Sequence, residues 1–287
     1  MVILSKFRKI INNFILTFII FLFFSIDAIF ASAWVRPEHN IFCVMEFLRE
    51  SSSSNNLFNN NEKLAYNINS YKLYLEYGLL KKITIGGYIK DYNFNQKYYG
   101  YKGLLYEDKL ENDFYANVFV IQNLYNENKN LFSFGYFFYF PVEYNELSKE
   151  LNTFETRTSY QLSALFGKDD DIDLKFIDFK YFIDLKISYR VFNNVNYDRF
   201  TFENTLGLRL NPTSSVNFYY EYQDHIKSKR LSTKNKIYDS YLNYSSNQIR
   251  FSLNYKFLDE LSTEFAYFKK FSKNNSSGLI ISFIFDI

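Results

Sequence analysis

Few residues in this chain have the type and spacing for covalent or metal chemistry. The adjacent Asp224 and His225 are the strongest candidates for a nucleophile-activating pair, since a general base needs a carboxylate to orient it. Nothing else in the chain converges on them, so a solvated pair at a strand end is the expectation, and no catalytic residue is assigned. His39 lies before the first extended segment and reads as a surface residue. The single cysteine, Cys43, has no partner for an intrachain disulfide and reads as a small apolar side chain in a strand. The acidic run Asp169, Asp170, Asp171 and Asp173 has no EF-hand spacing and reads as a solvated turn. No cofactor or metal is called for.

Composition narrows the field further. Lys and Arg number 33 against 31 Asp and Glu, a net charge of +2, which gives no field to draw in nucleic acid. The 27 Tyr and 34 Phe make the chain unusually aromatic, although abundant Asn, Lys and Ile suggest that an AT-rich genome contributes. The first 33 residues read as a separate object. Lys6, Arg8 and Lys9 precede an apolar run from Ile10 to Phe24, and Ala31-Ser32-Ala33 forms a small-x-small site. That is the pattern of a cleaved signal peptide over residues 1–33, with a single mature domain over 34–287.

The elements that must carry any site are strands. In residues 176–192 the odd positions Ile177, Phe179, Tyr181, Ile183, Leu185, Ile187, Tyr189 and Val191 are all apolar or aromatic. The even positions from Asp178 to Arg190 are polar except Phe182. Only a strand puts such a set on one face. The same rhythm runs through 199–210, 216–223, 249–257, 261–268 and 279–287. These runs are long, about 10 to 14 residues, where globular strands average near 5 or 6. About ten tilted residues cross a hydrocarbon layer. Tight links at 78–82, 124–129, 167–173, 211–214 and 258–260 alternate with longer ones at 94–111, 142–153, 193–198, 224–246 and 273–276. With residues 41–49 as the first strand, these features predict an all-β protein. The expected form is a transmembrane antiparallel β-barrel of about 12 strands, ten to fourteen staying open, with tight turns and both termini in the periplasm. Ser51 to Asn61 is expected as a mobile outer loop, and 237–244 as a strand extension into another.

Those strand phases define the candidate lumen lining: Lys72, Glu76, Arg157, Lys180, Asp184, Lys186, Arg190, Arg199, Glu203, Arg209, Glu221, Arg250, Lys256 and Glu264. Lys90, Lys270, Glu155, Asp178 and Asp286 join them by the same phase. Each Arg or Lys turned toward lipid instead would cost about 2–4 kcal/mol near the midplane. Two readings follow: a polar conduit with a slight basic excess, or a closed salt-bridge network filling a narrow barrel. The aromatic run Phe132, Phe134, Tyr136, Phe138, Tyr139 and Phe140 reads mostly as lipid-facing surface.

From residue 74 the chain also resembles a known group. Tyr74-Leu75-Glu76-Tyr77-Gly78-Leu79 followed by Ile83-Thr84-Ile85-Gly86 is similar to a strand–turn–strand signature of proteobacterial outer-membrane barrels akin to the MetA-pathway phenol-degradation group. Ala164-Leu165-Phe166-Gly167, Phe179 to Asp184 and Thr205 to Thr213 extend the likeness over most of the mature chain. The resemblance implies fold and outer-membrane location and carries over no functional residue. The C-terminal spacing of Gly278, Ile281, Phe283 and Phe285 looks like a barrel-assembly signal, departing from the usual terminal Phe by Asp286 and Ile287. The expected partners are outer-membrane lipid, the barrel-assembly machinery and small solutes. The expected function is a passive channel for small polar or amphipathic solutes, with a plugged barrel bearing partner-binding loops as the alternative; an enzyme is not expected.

Overall fold

The computed structural model describes residues 35–54, 63–99, 105–143, 158–174, 177–193, 197–227, 245–272 and 275–287. Twelve strands follow in chain order: β1 (Ile41–Ser54), β2 (Lys63–Leu80), β3 (Ile83–Tyr99), β4 (Leu105–Glu127), β5 (Asn130–Glu143) and β6 (Ser159–Leu174), then β7 (Ile177–Phe192), β8 (Tyr197–Asn211), β9 (Ser214–Lys227), β10 (Ser246–Leu258), β11 (Leu261–Phe271) and β12 (Ser276–Asp286). Each pairs antiparallel with its sequence neighbours. The sheet closes where β1 meets β12, from Phe42 opposite Asp286 to Ser52 opposite Ser276. Closure removes both edges, so every strand has two partners.

The side-chain rhythm settles which way each face looks. Met45, Phe47, Leu73, Leu75, Val118, Tyr136, Leu162, Ile187, Phe251, Leu253, Phe265 and Leu279 point outward and are exposed, on strands all round the wall. Glu46, Ser70, Glu76, Asn117, Ser163, Asp184, Arg190, Thr205, Asn254, Glu264 and Ser282 point inward and are buried. A water-soluble fold hides its large apolar groups, and this one displays them as a continuous belt while enclosing its charges. That inversion is the signature of a barrel that crosses a membrane.

The ladder runs further than the alternation suggested. Ser51–Ser54, expected as loop, completes β1, and the expected link 94–111 is mostly strand, with β3 reaching Tyr99 and β4 starting at Leu105. The register there sets Lys97 against Glu107 and Lys109 against Asn95. One face there pairs Phe94 with Leu110 and Tyr98 with Tyr106, broken by Gln96 opposite Asp108, so the alternation is too interrupted to mark the strands, yet their backbone groups pair as well as any. The 237–244 segment, the expected signal peptide 1–33 and much of the expected 142–153 link lie outside the described residues. At the short-turn end Asn128 and Lys129 both take positive φ, 51° and 63°, the conformation of the two-residue hairpin turn that follows strand twist. Register shifts fall at Gly78/Leu80, Asn123/Tyr125, Arg209/Asn211 and Lys256/Leu258, four places beside the tight turns.

Candidate functional site

Among the described residues the lumen gathers charged groups from strands all round the wall, and its two halves differ. At the short-turn end the chain before β1 folds back inside the wall. Asn40 donates to the Pro37 carbonyl at 3.1 Å, and His39 at φ 71° donates its backbone N–H to Gly78 at 2.8 Å. This strap, Val35–Asn40, presses so closely that a Cβ on Gly78 would collide with the Pro37 carbonyl oxygen. Val35 packs on the buried cluster of Phe119, Ile121 and Leu165. The Arg36 backbone N–H donates to Thr84 Oγ1 at 2.7 Å. Its guanidinium pairs with Glu76, comes within 3.9 Å of Asp286, and lies 3.7 Å from the centre of the Phe42 ring. Glu76 also accepts from the Tyr74 hydroxyl. One arginine thus ties the strap to β1, β2 and β12 at once.

Rising from the strap, an aromatic rib fills the β1–β5 side. Phe42 meets Tyr74 edge-on at 6.3 Å, Tyr74 stacks on Phe119 at 5.7 Å, Phe119 lies 5.1 Å from Phe137, and Phe137 stacks on Tyr139 at 6.5 Å. Cations cover several ring faces. Lys72 stands 5.9 Å from Tyr74, Lys186 stands 5.6 Å from Phe137, and the Arg190 guanidinium lies 3.7 Å from Tyr139. Phe119 and Tyr139 are buried, so the rib acts as internal packing.

The opposite wall, β7–β11, is polar. Strand register lines up Lys186, Glu203, Glu221, Gln248 and Lys270 as one row across it. Lys186 pairs with Glu203 at 2.7 Å. Glu203 and Glu221 sit directly opposite each other, and the Tyr219 hydroxyl lies 2.6 Å from Glu221 and 3.3 Å from Glu203. The Gln223 amide donates to Glu221 at 2.5 Å. A second row runs Arg209, Ser215, Asn254, Glu264, Ser282, Glu46, Lys72 and Lys90. Lys72 pairs with Glu46 at 3.2 Å, and Lys270 with Glu50 at 3.1 Å. Solvent still reaches these inward groups: side-chain exposure is 16 % for Lys186, 23 % for Glu203 and 36 % for Lys270. Below them Glu264, Leu165 and Thr84 are fully buried. Toward the long links the inward residues Tyr115, Ser159, Arg190 and Phe192 are buried as well, so the partly solvated rows lie between two packed levels. Beside the strap, at the short-turn mouth, a separate hollow of about 270 Å³ is bordered by Arg36, Arg209, Lys256 and Asp286.

Thirteen of the candidate lining residues stand at inward register positions: Lys72, Glu76, Lys180, Asp184, Lys186, Arg190, Arg199, Glu203, Arg209, Glu221, Arg250, Lys256 and Glu264. Arg157 and Glu155 lie outside the described residues. Lys180 continues the second row opposite Arg209 and ends it at the short-turn rim, 3.4 Å from Asp171, while Lys256 stands apart at that rim, 3.0 Å from Asp259. Arg36, Glu46, Glu50, Tyr219 and Gln223 belong to the site and were not among the candidates. Glu46 and Glu50 escaped because both faces of β1 carry apolar residues, Phe42 and Val44 inward against Cys43 and Met45 outward, so the phase had no contrast. Arg36 precedes the strand and carries no periodic signal. Asp224 and His225 part company. Adjacent strand residues face opposite ways, so His225 stands inward across from Arg199 while Asp224 stands outward across from Phe200. No dyad forms. The acidic run, expected as a turn, is the end of β6 paired with β7; there Asp170 and Asp171 grip Lys129 at 3.1 and 2.8 Å, and these hydrogen bonds raise the Lys129 pKa above its ordinary value.

No protein-family model and no curated protein matches the chain. Solved structures do match in fold. An outer membrane channel from Pseudomonas putida F1 superposes with a TM-score of 0.58 at 13% identity, covering 91% of this chain and 100% of that one. The transport unit of the autotransporter AIDA-I from Escherichia coli gives 0.53 at 10% identity, covering 88% and 93%. The chain is a closed twelve-stranded antiparallel barrel with the architecture of outer-membrane barrels.

Proposed function

We propose that this chain is a passive outer-membrane channel for small polar or amphipathic solutes, stoppered at its short-turn mouth by its own N-terminal strap. The observation that carries this reading is the pair of charged rows inside an apolar-coated wall, with Lys186, Glu203 and Lys270 still in contact with solvent. A barrel needing only to be filled could use apolar side chains, and enclosing ion pairs costs desolvation that a water-filled path avoids. The likeness in fold to a protein described as an outer membrane channel, and the strand–turn resemblance to the MetA-pathway group, support the same reading. Tight turns then face the periplasm, and Ile281, Phe283 and Phe285 on the outer face of β12 are the residues offered to the assembly machinery.

The plugged-barrel alternative has one observation in its favour, the strap itself. Single-channel recording in planar bilayers separates the two. The channel reading expects brief, small steps from heat-modifiable wild-type protein. Silence from folded protein, persisting when the strap is unlatched, refutes it.

A further inference from the structure

The outer wall is not uniformly convex. Over β2–β6 it is cut by a trench of about 970 Å³ that runs along the strands from the level of Tyr77 and Ile85 to that of Val142 and Tyr160. Its floor is made by small residues set between large ones. The register places Gly87 between Leu75 and Val118, and Ala116 between Ile89 and Phe140. Gly87 cannot be enlarged, because a Cβ there would strike the Asn117 backbone oxygen. The trench is therefore built into the backbone approach of β3 and β4, and its lining is almost wholly apolar.

What lies at its short-turn end gives the occupant a charge. The β2–β3 hairpin tip is Lys81-Lys82, both exposed, and among the described residues neither makes an ion pair. Ile85, at the trench's end, is three residues from Lys82, about 10 Å along the strand, a gap that a lysine stem and a lipid headgroup bridge together. The neighbouring tip offers no rival cation, since Lys129 is held by Asp170 and Asp171. Hydrocarbon is the medium around this face, so an acyl chain suits the trench and an anionic headgroup suits the paired lysines.

We propose that the trench and the Lys81-Lys82 tip together form a binding site for one anionic glycerophospholipid in the leaflet at the short-turn end. The site rests on the outer wall facing lipid, and is independent of whether the lumen conducts. The test is native mass spectrometry of delipidated, detergent-held protein mixed with dioleoyl phosphatidylglycerol or dioleoyl phosphatidylcholine. The wild type is expected to retain one phosphatidylglycerol about tenfold better than phosphatidylcholine, a preference two surface lysines can supply. The double variant Lys81→Gln, Lys82→Gln should retain both lipids equally. Val118→Trp, which fills the trench from an exposed outward position, should weaken retention of both. Equal retention of the two lipids by wild type overturns the proposal, as does Val118→Trp that binds like wild type. A dimer that forms through this face in place of lipid, and is lost in Val118→Trp, overturns it too.

Discussion

Arg36→Ala is expected to turn a barrel that opens briefly into one that conducts for most of a recording. Glu76 is a carboxylate 3% exposed inside the wall, and its partners are the Arg36 guanidinium and the Tyr74 hydroxyl. Removing the cation strands that charge, a loss worth about 3–5 kcal/mol when a buried pair is broken. The cheapest relief is for water to enter, and water can enter only if the strap leaves. Val35 then loses its seat on Phe119 and Leu165, and the hollow near Arg209 and Lys256 joins the space above. Arg36→Lys keeps the charge but loses the planar fork over Phe42, so it should lie between alanine and wild type. Glu76→Gln removes the stranded charge and should release the strap with less loss of stability. If all three variants show wild-type open probability, the strap is not a stopper.

Leu253→Arg is expected to cost about 2–4 kcal/mol of folding stability in lipid vesicles, measured by urea titration. Leu253 is an outward residue of β10, exposed, between Phe251 and Tyr255 on the same face. An arginine there must put its guanidinium into hydrocarbon or bend toward the headgroups. The same substitution at Gln248, inward on the same strand and half-exposed, meets the Glu221 position across the ladder and should change stability by less than about 0.5 kcal/mol. The contrast between the two sites is the informative quantity, because any general effect of added charge cancels. Equal losses at both would mean that the two faces share one environment.

The fold was open to reading because a lipid-facing barrel writes its wall in a two-residue code. Residues 176–192 show it most clearly, and even Phe182, the apparent exception on the polar side, proves to be an inward residue packed out of solvent. The strand count and four of the five tight turns follow from the same code; the fifth, expected at 167–173, is strand, because β6 pairs with β7 as far as Leu174. Where the code fades, reading failed for a physical reason. Ser51–Ser54 are polar on both faces, and around 97 and 107 the polar pair Gln96 and Asp108 interrupts the aromatic face, so backbone pairing, invisible in side-chain type, makes these segments strands. The site was legible in half. Alternation locates inward charges such as Lys186 and Glu203, but their pairing depends on stagger between strands that no single strand encodes. The strap was hidden altogether. Its contacts join residues such as Arg36 and Asp286, distant in the chain and brought together by closure of β1 on β12.

Tryptophan quenching tests the two-sided wall most directly. The chain has a single tryptophan, Trp34, so a Trp34→Phe background allows one reporter at a time. Phe251→Trp, outward, should be quenched strongly by lipids brominated on their acyl chains and weakly by aqueous iodide. Tyr219→Trp, inward beside Glu221, should show the reverse order in the same vesicles. Should both reporters respond alike, or the order invert, the assignment of an oily exterior and a watery interior is wrong.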